Sequence, residues 1–468
     1  MNIMDYTTDY TSPKSTKVGY AVLGLACVIA QMMPVYIMYF MTESIAIPVI
    51  YVSTMLVGVK VLDAFSDIIA GIIIDKTKSD KGKARPWLIR MAIPYAATLV
   101  IIFSVPAELG TIPKMIIITI LYALEVSVWG TMLNVARYAI IPRMTLKQKD
   151  AGRISAIGDG FFSVGGAVTM LIVLNVSARI GWRNTFILFA IAAFIMCIIC
   201  YFLCKELPKE ALEAYDKSRT ISNFKADLKE IFKSLFTNKY ALFMFIMVLL
   251  INMACGINMS GPLYYYTHYV GNIGAYSIMT IVTILLGLAV MPLAGFLVNK
   301  WKKYLGFVSV ITAIMCLVLW KFGGPAAVAF TIVLMSIQSV FVVNMPMMSL
   351  GKMNAMVVDY GEWKSGKRAE GTTSAVVNIG CKIGMAIGSG LFGFMIGAAG
   401  FVEGGVAQPD GVGAAINTSL FLVNAIIFLA IAVFNFITWN LPNLLPQIQE
   451  DLAKRRTEAE ETPEAVSE

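Results

Sequence analysis

Asp63 and Asp67 stand four residues apart inside the apolar run from Leu62 to Asp75. On a helix that spacing puts both carboxylates on one face. An ionised carboxylate inside a bilayer is costly and usually functional. A pair needs compensation, either a cation held by hard oxygen ligands or a proton kept by one of the two acids. Both solutions tie the chain to an ion gradient. Lys60, three residues before Asp63, offers a structural ion pair as the alternative.

Other polar residues interrupt apolar segments further along. Glu125, Thr131, Asn134 and Arg137 fall on one segment. Thr131 and Asn134 could add neutral oxygens to the Asp63 site. Arg137 could pair with the same carboxylates or grip an anionic substrate bidentately. Glu125 lies more than two turns from Asn134 and is a further proton-site candidate, or a packing partner. Asp159 sits between Gly158 and Gly160, ahead of Gly165 and Gly166. Those small residues permit close helix packing, and Asp159 is a candidate for the cavity. Asn378 and Lys382 lie between Gly371 and Gly390, with Lys382 too deep to snorkel out. It reads as a counter-ion for a carboxylate, a substrate ligand, or both in turn. His268, within Tyr264 to Tyr269, marks an aromatic belt at the membrane interface, with a stacking wall for sugar rings as the second reading.

The elements that must carry these residues follow from composition. The chain has 468 residues, of which 58% are hydrophobic and 14% charged, and its mean hydropathy is +0.75. Soluble chains carry about a quarter charged residues, so the expectation is an all-α, multi-pass membrane protein. About 20 apolar residues span a bilayer. Twelve such segments are expected, at about 18–41, 46–74, 87–106, 113–141, 153–178, 184–204, 240–270, 274–298, 304–321, 325–357, 372–399 and 414–440. The net charge of +8 sits in clusters between segments, after the second, fourth, sixth, eighth and tenth. Under the positive-inside rule these connections and both termini are cytoplasmic, which replaces any nucleic-acid reading. The division expected is a cytoplasmic segment 1–17, a six-helix half 18–204, a linker 205–239, a six-helix half 240–440 and a cytoplasmic tail 441–468. The tail holds a short amphipathic stretch, Ile448 to Arg456, and an acidic end expected to be disordered. Two six-helix halves are the layout of major-facilitator transporters. All seven cysteines fall in apolar segments, so neither a disulfide nor a metal site is expected, and Cys197, Cys200 and Cys204 read as packing or lipid-facing thiols.

Two motifs carry a resemblance. The first runs through Leu62, Asp63, Ala64, Phe65, Ser66 and Asp67 to Asp75, then Gly82, Lys83, Ala84, Arg85, Pro86 and Trp87. The second is Val358, Asp359, Tyr360, Gly361, Glu362, Trp363 and Lys364, followed by Arg368, Ala369, Glu370 and Gly371. Together they resemble the signatures of the glycoside–pentoside–hexuronide:cation symporters, the family of the melibiose permease, and the helical layout agrees along the whole chain. The resemblance implies cation-coupled sugar uptake. It places Asp63 and Asp67 on the family's two cation carboxylates, Thr131 on a threonine near that cation, and Lys382 on the lysine between cation and sugar. Asp359, Glu362, Arg368 and Glu370 fall on a cytoplasmic gate, with Asp75, Lys76, Lys83 and Arg85 on its counterpart.

The departures bear on substrate. The melibiose-type first helix has an adjacent lysine and aspartate; here the region reads Gly24, Leu25, Ala26, Cys27. A sugar-binding aspartate is replaced by Asn134, a tryptophan by Tyr138, and the fifth-helix arginine by Asp159 or Gly160. A pocket that loses acids and keeps Lys382 suits an anionic sugar, such as a uronide or a sulfonated sugar. The substrate-binding set expected is therefore Lys382, Arg137, Asn378, Tyr138, Asp159 and Asn134, with Asp63, Asp67, Thr131 and Asn134 holding the cation. The ion is H+ or Na+, the thinned acid shell favouring protons. The expected function is a secondary symporter working by alternating access, in the inner or plasma membrane, as a monomer, with no cofactor. A transporter of lipid-like or other organic solutes, or an uncoupled facilitator, is the alternative. No nucleophile–base set or phosphate-cradling loop supports an enzyme.

Overall fold

The computed structural model describes residues 12–208, 210–212, 237–366 and 370–461. Among the described residues all regular structure is helical. Nine helical stretches there are long and apolar enough to cross a membrane. The chain divides into two compact units, Met1–Ala226 with Ile396–Val412, and Asp227–Met395 with Gly413–Glu468.

In the first unit α1 (Lys14–Tyr39) ends in a π turn, Phe40–Ser44. Then come α2 (Val49–Asp75), α3 (Arg85–Arg90) and α4 (Ala92–Ile102). α5 (Thr111–Leu124) passes through a π turn, Glu125–Gly130, into α6 (Thr131–Met144). α7 (Gln148–Leu203) runs for 56 residues but breaks at Gly181, whose φ of 79° and ψ of 161° leave helical space. Unbroken, it would reach about 84 Å at 1.5 Å per residue, far beyond the roughly 30 Å of a bilayer core. Only glycine enters this backbone region freely. α1 packs along α7, and glycine makes that contact. A Cβ on Gly24 would lie 2.5 Å from Gly158 O, and one on Gly158 would lie 2.2 Å from the Tyr20 ring. At Gly24 the absence of a side chain thus has a packing cause. Cys197, Cys200 and Cys204 are buried, with the Cys200 thiol 3.3 Å from Gly19 O on α1.

The second unit holds α8 (Lys239–Tyr264) with a π turn, Tyr265–Tyr269, then α9 (Ile273–Lys300), α10 (Tyr304–Phe322) and α11 (Val328–Ser365). α12 (Glu370–Ala398), α13 (Val412–Asn417), the π turn Thr418–Leu422, α14 (Val423–Thr438) and α15 (Leu441–Glu461) follow. α9 packs on α11, and α10 on α11 and α14. Glycines bring α12 onto α8: a Cβ on Gly384 would meet Leu249 O at 2.3 Å, and one on Gly388 would meet Met253 O at 1.9 Å.

The fold departs from expectation at four places. Tyr264, Tyr265 and Tyr266 are at most 1% exposed, packed against Phe392, Phe421 and Tyr276. These three rings are core, and neither a belt nor a sugar wall. The third segment breaks at Met91, which separates α3 from α4. α11 extends to Ser365 rather than 357, ending at Gly366 in a left-handed conformation. The tail helix runs through Glu461, longer than its amphipathic stretch, and is pinned to α11: Trp363 Nε1 donates to Asp451 Oδ2 at 2.9 Å and Arg455 Nη1 to Trp363 O at 3.0 Å.

Candidate functional site

Asp63 is 4% exposed, on the face of α2 turned to α6 and to the π turn after α5. Its Oδ1 accepts from Thr131 Oγ1 at 2.8 Å and from Ser66 Oγ at 3.3 Å. Lys60 Nζ lies 3.7 Å from Oδ2. The two hydroxyls are 3.2 Å apart. Thr131 Oγ1 also sits 3.0 Å from Val126 O, and Ser66 Oγ 2.8 Å from Asp63 O. Oxygens from α2 and from the start of α6 therefore converge on one buried carboxylate, with an ammonium at its edge. Hard oxygens in this arrangement suit a small monovalent cation or a proton. Asp67 is half-buried one turn further on, and Asn134 half-buried one turn past Thr131. Ser66 carries no signal in the sequence beyond its place inside the motif, three residues from Asp63.

Arg137 does not join this group. Six residues beyond Thr131, it is rotated about 120° away on α6 at 3.6 residues per turn. Its Nη2 meets Asp159 Oδ1 at 2.5 Å, and Ser155 Oγ donates to Asp159 Oδ2 at 3.1 Å. The guanidinium is buried among rings, 4.9 Å from the Phe162 centroid, 5.0 Å from Tyr138 and 5.7 Å from Tyr20. Asp159 is 49% exposed, and Tyr138 is exposed as well. Arg137 Nε is buried with no hydrogen-bond partner. Of the two readings of Arg137, the pairing with the α2 carboxylates is thus replaced by a pair with Asp159.

In the second unit Asn378 is exposed and Lys382 half-buried on α12. They are four residues apart, hence on one face. Lys382 stands two residues from both Gly380 and Gly384, whose contacts are with α8. That offset of about 200° directs it away from α8.

The gate residues divide in the same way. Asp359 and Glu362 are half-buried on the last turns of α11. Arg368 lies outside the described residues, as does the side chain of Glu370. In the first unit Asp75 closes α2, while Lys83 and Arg85 flank a cradle that spacing does not reveal. Glu206 Oε1 accepts the backbone N–H groups of Ala84 and Arg85, each at 2.8 Å, and Oε2 accepts Lys83 N–H at 3.1 Å and Arg143 Nε at 2.5 Å. Arg85 Nε donates to Tyr201 O at 2.7 Å and stacks 4.6 Å from that ring. Gly82, at φ +104°, passes so close that a Cβ would lie 2.3 Å from the Glu206 carboxyl carbon. The only sequence signal for Glu206 was an acid directly after an apolar segment.

Residues 19–442 match the family model described as MFS/sugar transport protein. The chain belongs to this family. Members are membrane transporters, so the chain is a transport protein and not an enzyme. It is similar to the inner membrane symporter YicJ of Escherichia coli (strain K12), 25% identical over 469 residues, spanning 96% of this chain and 97% of that one. It is also similar to a provisionally named sulfoquinovose importer of the same strain, 25% identical over 390 residues, covering 80% of this chain and 79% of that protein. Among solved structures, the nucleoside transporter NupG superposes with a TM-score of 0.66 at 15% identity, over 91% of this chain and 99% of the other. That likeness shows the family's fold.

Proposed function

We propose that the chain is a cation-coupled symporter that brings an anionic sugar, such as a uronide or a sulfonated sugar, across the cell membrane by alternating access. Twelve spans in two six-helix halves, with both termini cytoplasmic, complete the reading. The observation that carries the coupling is the Asp63 group: a 4% exposed carboxylate shared by two hydroxyls and one ammonium. Asn134, standing where the resembled family has a carboxylate, thins the shell of charged oxygens that a sodium ion needs. A proton is therefore the favoured ion and sodium the alternative. Binding at Asp63 and Asp67 raises substrate affinity, which is a coupling free energy between two sites.

The charge of the substrate rests on Lys382, the uncharged Gly24 to Cys27 region and the sulfonated-sugar relative. Arg137 contributes less than its position in the sequence implied, because Asp159 already neutralises it. A sulfonate or carboxylate there has to take the place of Asp159. The test is uptake into proteoliposomes of a sulfonated sugar, a uronide and their neutral analogue, under an imposed proton or sodium gradient. Accumulation of the charged sugars under one of these gradients is expected. Equal, gradient-independent equilibration of all three would overturn both coupling and charge selectivity.

A further inference from the structure

Glu125 belongs to none of these groups. It opens the π turn Glu125–Gly130 and is 1% exposed. Single π turns of this kind recur at functional positions. Its Oε2 lies against the hydroxyl of Thr98 on α4, and its Oε1 is buried without a hydrogen-bond partner.

Thr98 has more acceptors around it than hydrogens to give. Its Oγ1 also sits 2.8 Å from Pro94 O and 3.1 Å from Tyr95 O. A hydroxyl has a single hydrogen, and backbone carbonyls only accept. When Thr98 donates back into its own helix, a habit of threonine, the contact with Glu125 needs a hydrogen from the carboxyl. The turn packs against α1, α2, α4, α5 and α6. Charged and titratable side chains carried by these elements include Tyr20, Cys27, Tyr36 and Tyr39 on α1, Lys60, Asp63 and Asp67 on α2, Tyr95 on α4, Tyr122 on α5 and Arg137 on α6. Lys60 and Asp63 engage each other and Thr131. Tyr95 donates to Ala26 O at 3.2 Å, and Arg137 pairs with Asp159. Among the described residues no ammonium or guanidinium forms an ion pair with Glu125, and a buried carboxylate without one is costly.

We propose that Glu125 is a proton-binding site of the first unit, separate from the Asp63 group. In the conformation described it holds a proton and donates its hydrogen bond to Thr98. When α4 and the π turn separate, the carboxyl O–H bond breaks, the proton passes to water and the carboxylate is left solvated. Proton binding at Glu125 is independent of which ion Asp63 binds and of the substrate.

The experiment is infrared spectroscopy of the purified, lipid-embedded protein at neutral and alkaline pH, comparing wild type with Glu125→Gln, Thr98→Val and Asp63→Asn. The wild type is expected to show the carbonyl stretch of a buried protonated acid, diminished in alkaline medium. Glu125→Gln should lose that band, Thr98→Val should shift it, and Asp63→Asn should keep it. A band of undiminished intensity in Glu125→Gln, one lost altogether in Asp63→Asn, or one insensitive to alkali overturns the proposal. Should Glu125→Gln fail to fold, an unshifted band in Thr98→Val overturns it alone. Failure of coupling at Asp63 would appear in transport and leave this band untouched.

Discussion

Thr131 is the residue through which a second helix senses the Asp63 carboxylate. Replacing it with Val keeps the shape and removes one donor to a buried acid. Such a bond is worth about 1.5–3 kcal/mol to the ionised acid. Thr131→Val should therefore shift the half-saturating ion concentration by roughly tenfold or more, downward for a proton, which no longer competes with that donor, and upward for sodium, which loses an oxygen ligand. An unchanged ion dependence of uptake would remove Thr131 from the site. Asp67→Asn should abolish gradient-driven accumulation while sparing counterflow exchange, measured in the same vesicles. The Asp63–Thr131 pairing was legible in the sequence, because residue type and position in an apolar segment were enough to expose it. Arg137 was not, because its direction depends on helical phase relative to Thr131. Glu206 was invisible for another reason: its backbone partners lie 121 to 123 residues away, and no local pattern encodes an acid that caps a distant loop.

Glycine governs how closely the elements pack, and the positions are not equivalent. Gly388→Ala places a Cβ 1.9 Å from Met253 O, and Gly24→Ala places one 2.5 Å from Gly158 O. Overpacking of this kind costs about 1–3 kcal/mol. Gly160, on the same helix as Gly158, meets nothing within 4 Å. Thermal melts should therefore fall for Gly388→Ala and Gly24→Ala but hold or rise for Gly160→Ala. A uniform response would show that helix propensity, not contact, sets the outcome. The glycine-rich segments are recognisable as packing surfaces by composition alone. Which glycine bears the contact is not, since that depends on the facing backbone. The tyrosine run of Tyr264 to Tyr266 misleads in a similar way: its composition fits both an interface and a core, and only the rings that pack against it decide.

At the scale of the whole molecule, the Glu206 cradle fastens the loop before α3, the end of α6 and the chain after α7 into one body. Arg143 and Glu206 are 7% and 2% exposed in their side chains. Glu206→Gln strands a buried guanidinium, at a cost of about 3–5 kcal/mol. The melting temperature should drop, and protease sensitivity should rise between Lys76 and Arg85. A variant melting like wild type would show that the backbone donors alone hold the loop. The succession of long apolar helices was largely readable from hydropathy. The packing of Ile396–Val412 with the first unit is not readable in that way, because the stretch is short and weakly patterned and its partners, among them Val49 and Ile50, lie hundreds of residues earlier.

That stretch has a consequence for how the protein is made. Glu403 Oε1 accepts the N–H of Val49, the first residue of α2, at 2.8 Å, and Gly404 N–H donates to Thr42 O at 2.9 Å. The start of an early helix is thus completed by a residue translated 354 positions later. A nascent chain that has inserted α1 and α2 still waits for almost the whole of its synthesis before that end is closed. A premature stop anywhere before Glu403 leaves the Val49 N–H at the start of α2 without this acceptor.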